Sequence, residues 1–184
     1  MRVIAGSAKR LLLKCPEGIN TRPTTDRIKE TLFNMLQPYL YDGVFMDLFS
    51  GSGGIGIEAL SRGARRVYFV ENDSKALNCI KENLSATHLE ENAIIKKQDV
   101  LSALMSMNSE EQVDVIFADP PYDSGLEMIL LRQLLEADFV TENTLIVIEA
   151  SLKTDLSDIE SVGFKIEKEK KYKTNKHFFI RRTV

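Results

Sequence analysis

Apolar and polar positions along this chain follow two rhythms that take turns. Short apolar runs at 44–48, 67–70, 93–97, 113–118 and 145–148 have the length and β-rich make-up of strands. The fourth is uniformly apolar after Asp114, the mark of a strand buried on both faces. Between the runs, apolar residues recur at helical spacing: Ile57, Ala59 and Leu60; then Ala76, Leu77, Ile80 and Leu84 behind Asp73 as N-cap; then 101–107 and 126–137. Five alternations of strand and helix predict an α/β fold with a doubly wound, mostly parallel sheet. Residues 164–172 and 177–180, turned near Thr174 and Asn175, add a C-terminal antiparallel hairpin and bring the count to seven strands.

Upstream, 2–5 and 11–14 read as a small β-hairpin with a basic tip over 6–10. Ile28, Leu32, Met35 and Leu36 mark a helix face, with Thr24 or Thr25 as N-cap and Pro38 and Gly43 as the stop. The expected division is a hairpin-and-helix extension over 1–42 and a sheet domain over 43–184.

Composition changes this picture little. With 184 residues, 43% hydrophobic and 28% charged, the chain has the make-up of one soluble globular domain. No apolar run reaches membrane-spanning length, and Met1-Arg2-Val3-Ile4 lacks the apolar core of a signal peptide, so the expected compartment is the cytoplasm. Cys15 and Cys79 form no CxxC pair, and neither a disulfide framework nor a metal site is expected. His88 and His177 have no partner at catalytic or ligand spacing and read as surface or strand residues.

Charge is more informative. The formal net charge of −3 hides two basic ends. Residues 1–29 hold seven basic against two acidic side chains, residues 164–184 hold eight against two, and the centre is strongly acidic. Such a distribution guides a polyanion to one face, although lysines also merely solvate strand edges.

The candidate chemistry sits at the strand ends. Asp47 closes the first central strand, and Gly51, Gly53 and Gly56 follow with the spacing of a nucleotide-binding loop. Glu71, 20 residues after Gly51, closes the next strand, where a carboxylate takes a ribose diol. A carboxylate at Asp47 suits a cationic ligand and sits awkwardly beside a pyrophosphate. That favours S-adenosylmethionine over a nicotinamide dinucleotide. Asp99 and Asp119 close two further strands, and four acids at four carboxyl ends point to one shared site.

Asp119 opens Asp119-Pro120-Pro121-Tyr122. The prolines remove two backbone donors and leave carbonyls outward. An ionised Asp119 and the Pro120 carbonyl are two acceptors, matched to the two hydrogens of a nucleobase NH₂. Held so, the nitrogen lone pair is drawn out of conjugation and aimed at an electrophilic methyl. Tyr122 offers a stacking face to a base that is single-stranded or extruded.

These motifs resemble a class I S-adenosylmethionine-dependent methyltransferase, a Rossmann-like fold, acting on an amino nitrogen. Arg22-Pro23-Thr24-Thr25-Asp26-Arg27-Ile28-Lys29-Glu30-Thr31-Leu32-Phe33-Asn34, with Gly56-Ile57-Glu58-Ala59-Leu60-Ser61-Arg62, is similar to the RsmD family. The resemblance spans essentially the whole chain. It implies methylation of guanine N2 in 16S ribosomal RNA, on the small subunit or its assembly intermediate, by a monomer with no membrane partner. It assigns Asp47, Phe49, Ser50, Gly51, Ser52 and Gly53 to the methionine part of the cofactor. Glu71 with Asn72 takes the ribose, Asp99 and Val100 border the adenine, and Asp119 completes the site. Asp119, Pro120, Pro121 and Tyr122 are the catalytic group, and Arg10, Arg22, Thr24 and Arg27 lie near the RNA. The alternatives are a DNA adenine-N6 methyltransferase, for whose target-recognition region the chain has no spare length, a nicotinamide-dependent oxidoreductase, and a non-catalytic RNA-binding protein.

Overall fold

A computed structural model describes residues 1–16, 25–107, 111–122 and 124–183. The elements run α1 (Asp26–Leu40), β1 (Val44–Asp47), α2 (Gly54–Ser61), β2 (Arg66–Glu71), α3 (Ser74–Thr87), β3 (Ala93–Lys97), α4 (Val100–Ser106), β4 (Val115–Ala118), α5 (Leu126–Leu135), β5 (Leu145–Ser151), β6 (Phe164–Lys171) and β7 (Asn175–Arg182). One seven-stranded sheet has the order β3-β2-β1-β4-β5-β7-β6. The first five strands pair in parallel, and β7 runs antiparallel to both β5 and β6. The expected architecture is the one observed. The order reverses between β1 and β4, and a ligand crevice opens at that switch point.

Alternation in the central strands builds two cores. Met46, Ile116 and Ile148 face α4 and α5; Phe45, Phe117 and Val147 face α1, α2 and α3. All four residues of β1 and of β4 are buried, as continuous apolar runs require.

The N-terminal segment packs into the second core through Val3, Ala8 and Leu13. Its hairpin is minimal: one antiparallel bridge joins Arg2 and Leu12. Ser61, Asn83 and one buried carboxylate tie it down. Glu58 on α2 accepts the backbone N–H groups of Ile4 at 2.8 Å and Ala5 at 3.0 Å, and pairs with Lys29 at 3.2 Å and Arg62 at 2.8 Å. Lys29 and Glu58 are fully buried, and burial lowers the Lys29 pKa against the pull of Glu58.

This adds to the expected helix face. Leu32 and Leu36 are buried on α1 as expected, and Met35 packs half-buried against the core. Phe33, Leu40 and Lys29 are buried with them, the last drawn inward by the Glu58 carboxylate, while Ile28 is only half-buried. Thr25 is the N-cap. Pro38 does not stop the helix, which continues to Leu40; Leu36 and Leu40 anchor the last turn in the core despite the missing N–H.

Candidate active site

Hydrogen bonding fixes the loop after β1. Gly51 and Gly53 have φ of 52° and 80°, a left-handed backbone that favours glycine. Ser50 Oγ donates to the Asp47 carbonyl at 2.8 Å, and the Gly53 N–H returns to the Ser50 carbonyl at 2.7 Å. Gly56 lets α2 lie against β2: a Cβ there would stand 2.3 Å from the Phe69 ring.

Both carboxylates beside the loop touch it. Glu71 accepts the Gly51 N–H at 2.9 Å with one oxygen, and those of Asn72 and Asp73 at 2.8 Å with the other. Asp47 is 1% exposed; its Oδ2 accepts the Gly56 N–H at 3.1 Å, whereas its Oδ1 is buried and has no partner within hydrogen-bonding distance among the described residues. Burial, with a smaller push from Glu71, raises the Asp47 pKa to about 7. An orphaned buried acceptor of this kind calls for a cationic donor.

Next to the loop lies a cavity of about 330 Å³ lined by Phe49, Val70, Glu71, Asn72, Asp99 and Val100, with further walls from Leu48, Gln98, Leu101, Pro121 and Leu126. The carboxylates of Glu71 and Asp99 join a mostly apolar lining, a set that fits a nucleoside with hydroxyls and an amine. Asp99 also caps α4 by accepting the Ser102 N–H at 3.0 Å, and those bonds lower its pKa. Gln98 and Leu101 flank the expected pair Asp99 and Val100, so the sequence held a signal for them. Leu126, from the start of α5, had none.

On the far side of Asp47, β4 delivers Asp119. Burial raises the Asp119 pKa, and the charges of Glu149 and Asp47 push it further. Among the described residues no hydrogen-bond donor contributes to that shift, so the carboxylate remains available. Pro120 is buried, Pro121 exposed, and Tyr122 is 44% exposed with its hydroxyl donating to Glu149 Oε1 at 3.0 Å.

His177 is the strand residue expected, in β7, but it is fully buried rather than at the surface, and its Nε2 lies 3.0 Å from Glu149 Oε2, a partner the local spacing did not reveal. Glu149 sits inside β5, where it accepts from Tyr122, Asn175 and His177. Burial alone would raise Glu149; the bonds from His177, Tyr122 and Asn175 outweigh it and hold the carboxyl below its ordinary value.

The basic residues are less gathered than their number implies. Arg10, at φ 75° in the N-terminal turn, and Arg27, in the first turn of α1, are exposed. Arg22 and Thr24 lie outside the described residues. Lys29 is taken by Glu58, and Arg2 by Asp26 at 2.7 Å. No helix among the described residues is long and apolar enough to cross a membrane.

Comparison with known proteins places the chain in a family and matches its fold. Residues 1–181 match the family described as conserved hypothetical protein 95. The chain is 43% identical to YlbH of Bacillus subtilis over 164 residues, 89% of this chain and 88% of that one. It is 39% identical to the ribosomal RNA small subunit methyltransferase D of Haemophilus influenzae over 152 residues, 81% of this chain and 78% of that protein. The solved structure of yhhF from Escherichia coli superposes with a TM-score of 0.86 at 30% identity, covering 99% and 97% of the two chains.

Proposed function

The chain belongs to the RsmD family of ribosomal RNA small subunit methyltransferases, and from that premise we propose that it methylates the exocyclic N2 amine of a guanine in 16S ribosomal RNA. The observation that carries the reading is the pairing of two acids on adjacent strands. Asp47 is buried with an unpaired acceptor, and Asp119 opens the Pro-Pro-Tyr turn beside it. The first suits a cationic ligand, the second an amine.

S-adenosylmethionine, when bound, supplies an electrophilic methyl whose bond to sulfur breaks as the bond to nitrogen forms. Asp47 and the loop 49–53 hold its amino-acid end, Glu71 and Asn72 take hydroxyls, and Asp99 and Val100 border the base. Asp119 and the Pro120 carbonyl accept the two N–H bonds of the target amine and fix its lone pair. Positioning does most of this work. The proton released from nitrogen passes to the Asp119 carboxylate and on to solvent. Tyr122 stacks on a base swung out of its helix. Arg10, Arg22, Thr24 and Arg27 of the segment 1–42 engage the RNA backbone. The enzyme works as a monomer in the cytoplasm, on the small subunit or its assembly intermediate.

The test supplies tritiated S-adenosylmethionine with small subunits lacking the modification, with their naked RNA and with duplex DNA, and resolves the digested nucleosides. N2-methylguanosine from the ribosomal substrates is the expected product. N6-methyladenine from DNA would replace the target and keep the amine chemistry, and no transfer to any substrate would end the proposal.

A further inference from the structure

A buried polar cluster stands behind the Pro-Pro-Tyr turn, and neither cofactor capture nor the two acceptors of the amine account for it. Glu149 from β5 and His177 from β7 are direct cross-strand partners, and Asn175 is opposite Ser151, two positions along. All three are buried, at 5% exposure or less. Both Glu149 oxygens are engaged: Oε1 by the Tyr122 hydroxyl and the Asn175 amide, Oε2 by His177 Nε2.

The bonding pattern selects one histidine tautomer. An ionised Glu149 only accepts, so Nε2 carries the proton, and Nδ1 is left to accept from the Tyr172 hydroxyl at 3.4 Å. The imidazole is further held edge-on by Phe117 at 6.2 Å between centroids and by Tyr172 at 5.0 Å. Phe117 lies two residues before Asp119, so the cluster and the acceptor carboxylate share one scaffold.

A carboxylate buried this deeply is costly unless each lone pair is used. Two of its partners, Asn175 and His177, come from the interior. The third, Tyr122, is the exception: the residue is 44% exposed while its hydroxyl is tethered inward. An exposed aromatic ring held at its polar tip presents a fixed face.

We infer that Glu149, clamped by His177 and Asn175, is a positioning residue that fixes the Tyr122 ring as the platform on which the target base stacks. The inference rests on the reading of Asp119-Pro120-Pro121-Tyr122 as the base site. Glu149 touches neither base nor cofactor; it acts through the phenol.

A double-mutant cycle tests this. Tyr122→Phe keeps the ring and cuts the tether; Glu149→Ala removes the acceptor. Each is expected to lower kcat/KM for the RNA substrate about tenfold, the size of a lost hydrogen bond to a charged group, with cofactor Kd unchanged. The double variant should lose about tenfold as well, not a hundredfold, because both cut one contact. Glu149→Gln, whose amide oxygen still accepts from Tyr122, should restore most of the activity. Additive losses, or a Glu149→Gln variant as impaired as Glu149→Ala, would overturn the tether. Should Glu149→Ala not fold, His177→Phe replaces it in the same cycle, since it frees Glu149 while keeping the aromatic contacts.

An activity-free arm separates this inference from the function it rests on. Relaxation of the ¹³C-labelled Tyr122 ring should report a rigid ring in the wild type and a mobile one in Glu149→Ala or, in its place, His177→Phe. A ring equally rigid in both refutes the tether even if the wild type methylates RNA. A wild type that binds cofactor yet methylates no RNA refutes the platform's purpose, whatever the ring does.

Discussion

Asp47 sets how cofactor capture depends on pH. With its carboxyl raised to about 7 by burial, roughly one-tenth is ionised at pH 6 and nine-tenths at pH 8. A cationic ligand needs the ionised form, and apparent affinity scales with the competent fraction. The Kd for S-adenosylmethionine is therefore expected to be about tenfold weaker at pH 6 than at pH 8. Binding at pH 7 should release about half a proton, read by calorimetry in two buffers of different ionisation enthalpy. The same burial weakens the free protein. Because the folded pKa lies above the unfolded one, the folded state holds the proton more tightly; this contribution is present at low pH and lost as pH rises through about 7. Three units at about 1.4 kcal/mol each put the penalty at no more than about 4 kcal/mol above pH 8. Asp47→Asn, which keeps an acceptor for the Gly56 N–H, should melt within a degree or two of wild type near pH 4 and up to roughly 10 °C above it at pH 8. It should also bind cofactor weakly, with no pH dependence. A Kd equal at pH 6 and pH 8 with no proton release, or a variant less stable than wild type at pH 8, would refute the argument.

Other substitutions probe the remaining parts. Asp119→Ala should cut kcat for methyl transfer at least about a hundredfold while cofactor Kd stays within about threefold; near-normal turnover would remove Asp119 from the amine site. Glu58→Ala leaves a buried Lys29 ammonium without its carboxylate and should cost about 3–5 kcal/mol in urea unfolding. Adding Lys29→Met should recover part of that loss, and an additive pair would show the two are not coupled. Reversing Arg10 and Arg27 to Glu should weaken RNA binding and flatten its logarithmic salt dependence by about two units. An unaltered slope would take both arginines out of the interface.

How much of this was legible follows from where the information lies. Strand ends were readable because a glycine loop and a terminal acid are local signals: Asp47 and Glu71 end β1 and β2, and Asp99 and Asp119 follow within two residues of the ends of the neighbouring β3 and β4. The antiparallel hairpin was readable from alternation and a turn. What the sequence withheld depends on pairing across space. Glu149 and His177 are 28 residues apart and meet only because β7 lies in register beside β5. Lys29 and Glu58, 29 positions apart, hide their contact in the same way, and so Lys29 was missing from the expected α1 face. The Pro38 stop failed because it is a local rule, overruled by the burial of Leu36 and Leu40.

The place of β7 has a consequence for how the protein comes into being. Synthesis runs from the amino end, so the glycine loop and the Asp-Pro-Pro-Tyr turn leave the ribosome well before Asn175 and His177. Until β7 has been made, β5 is paired only with β4 and Glu149 has neither clamp. The nascent chain thus completes the strands that line its cofactor pocket before it can clamp Glu149.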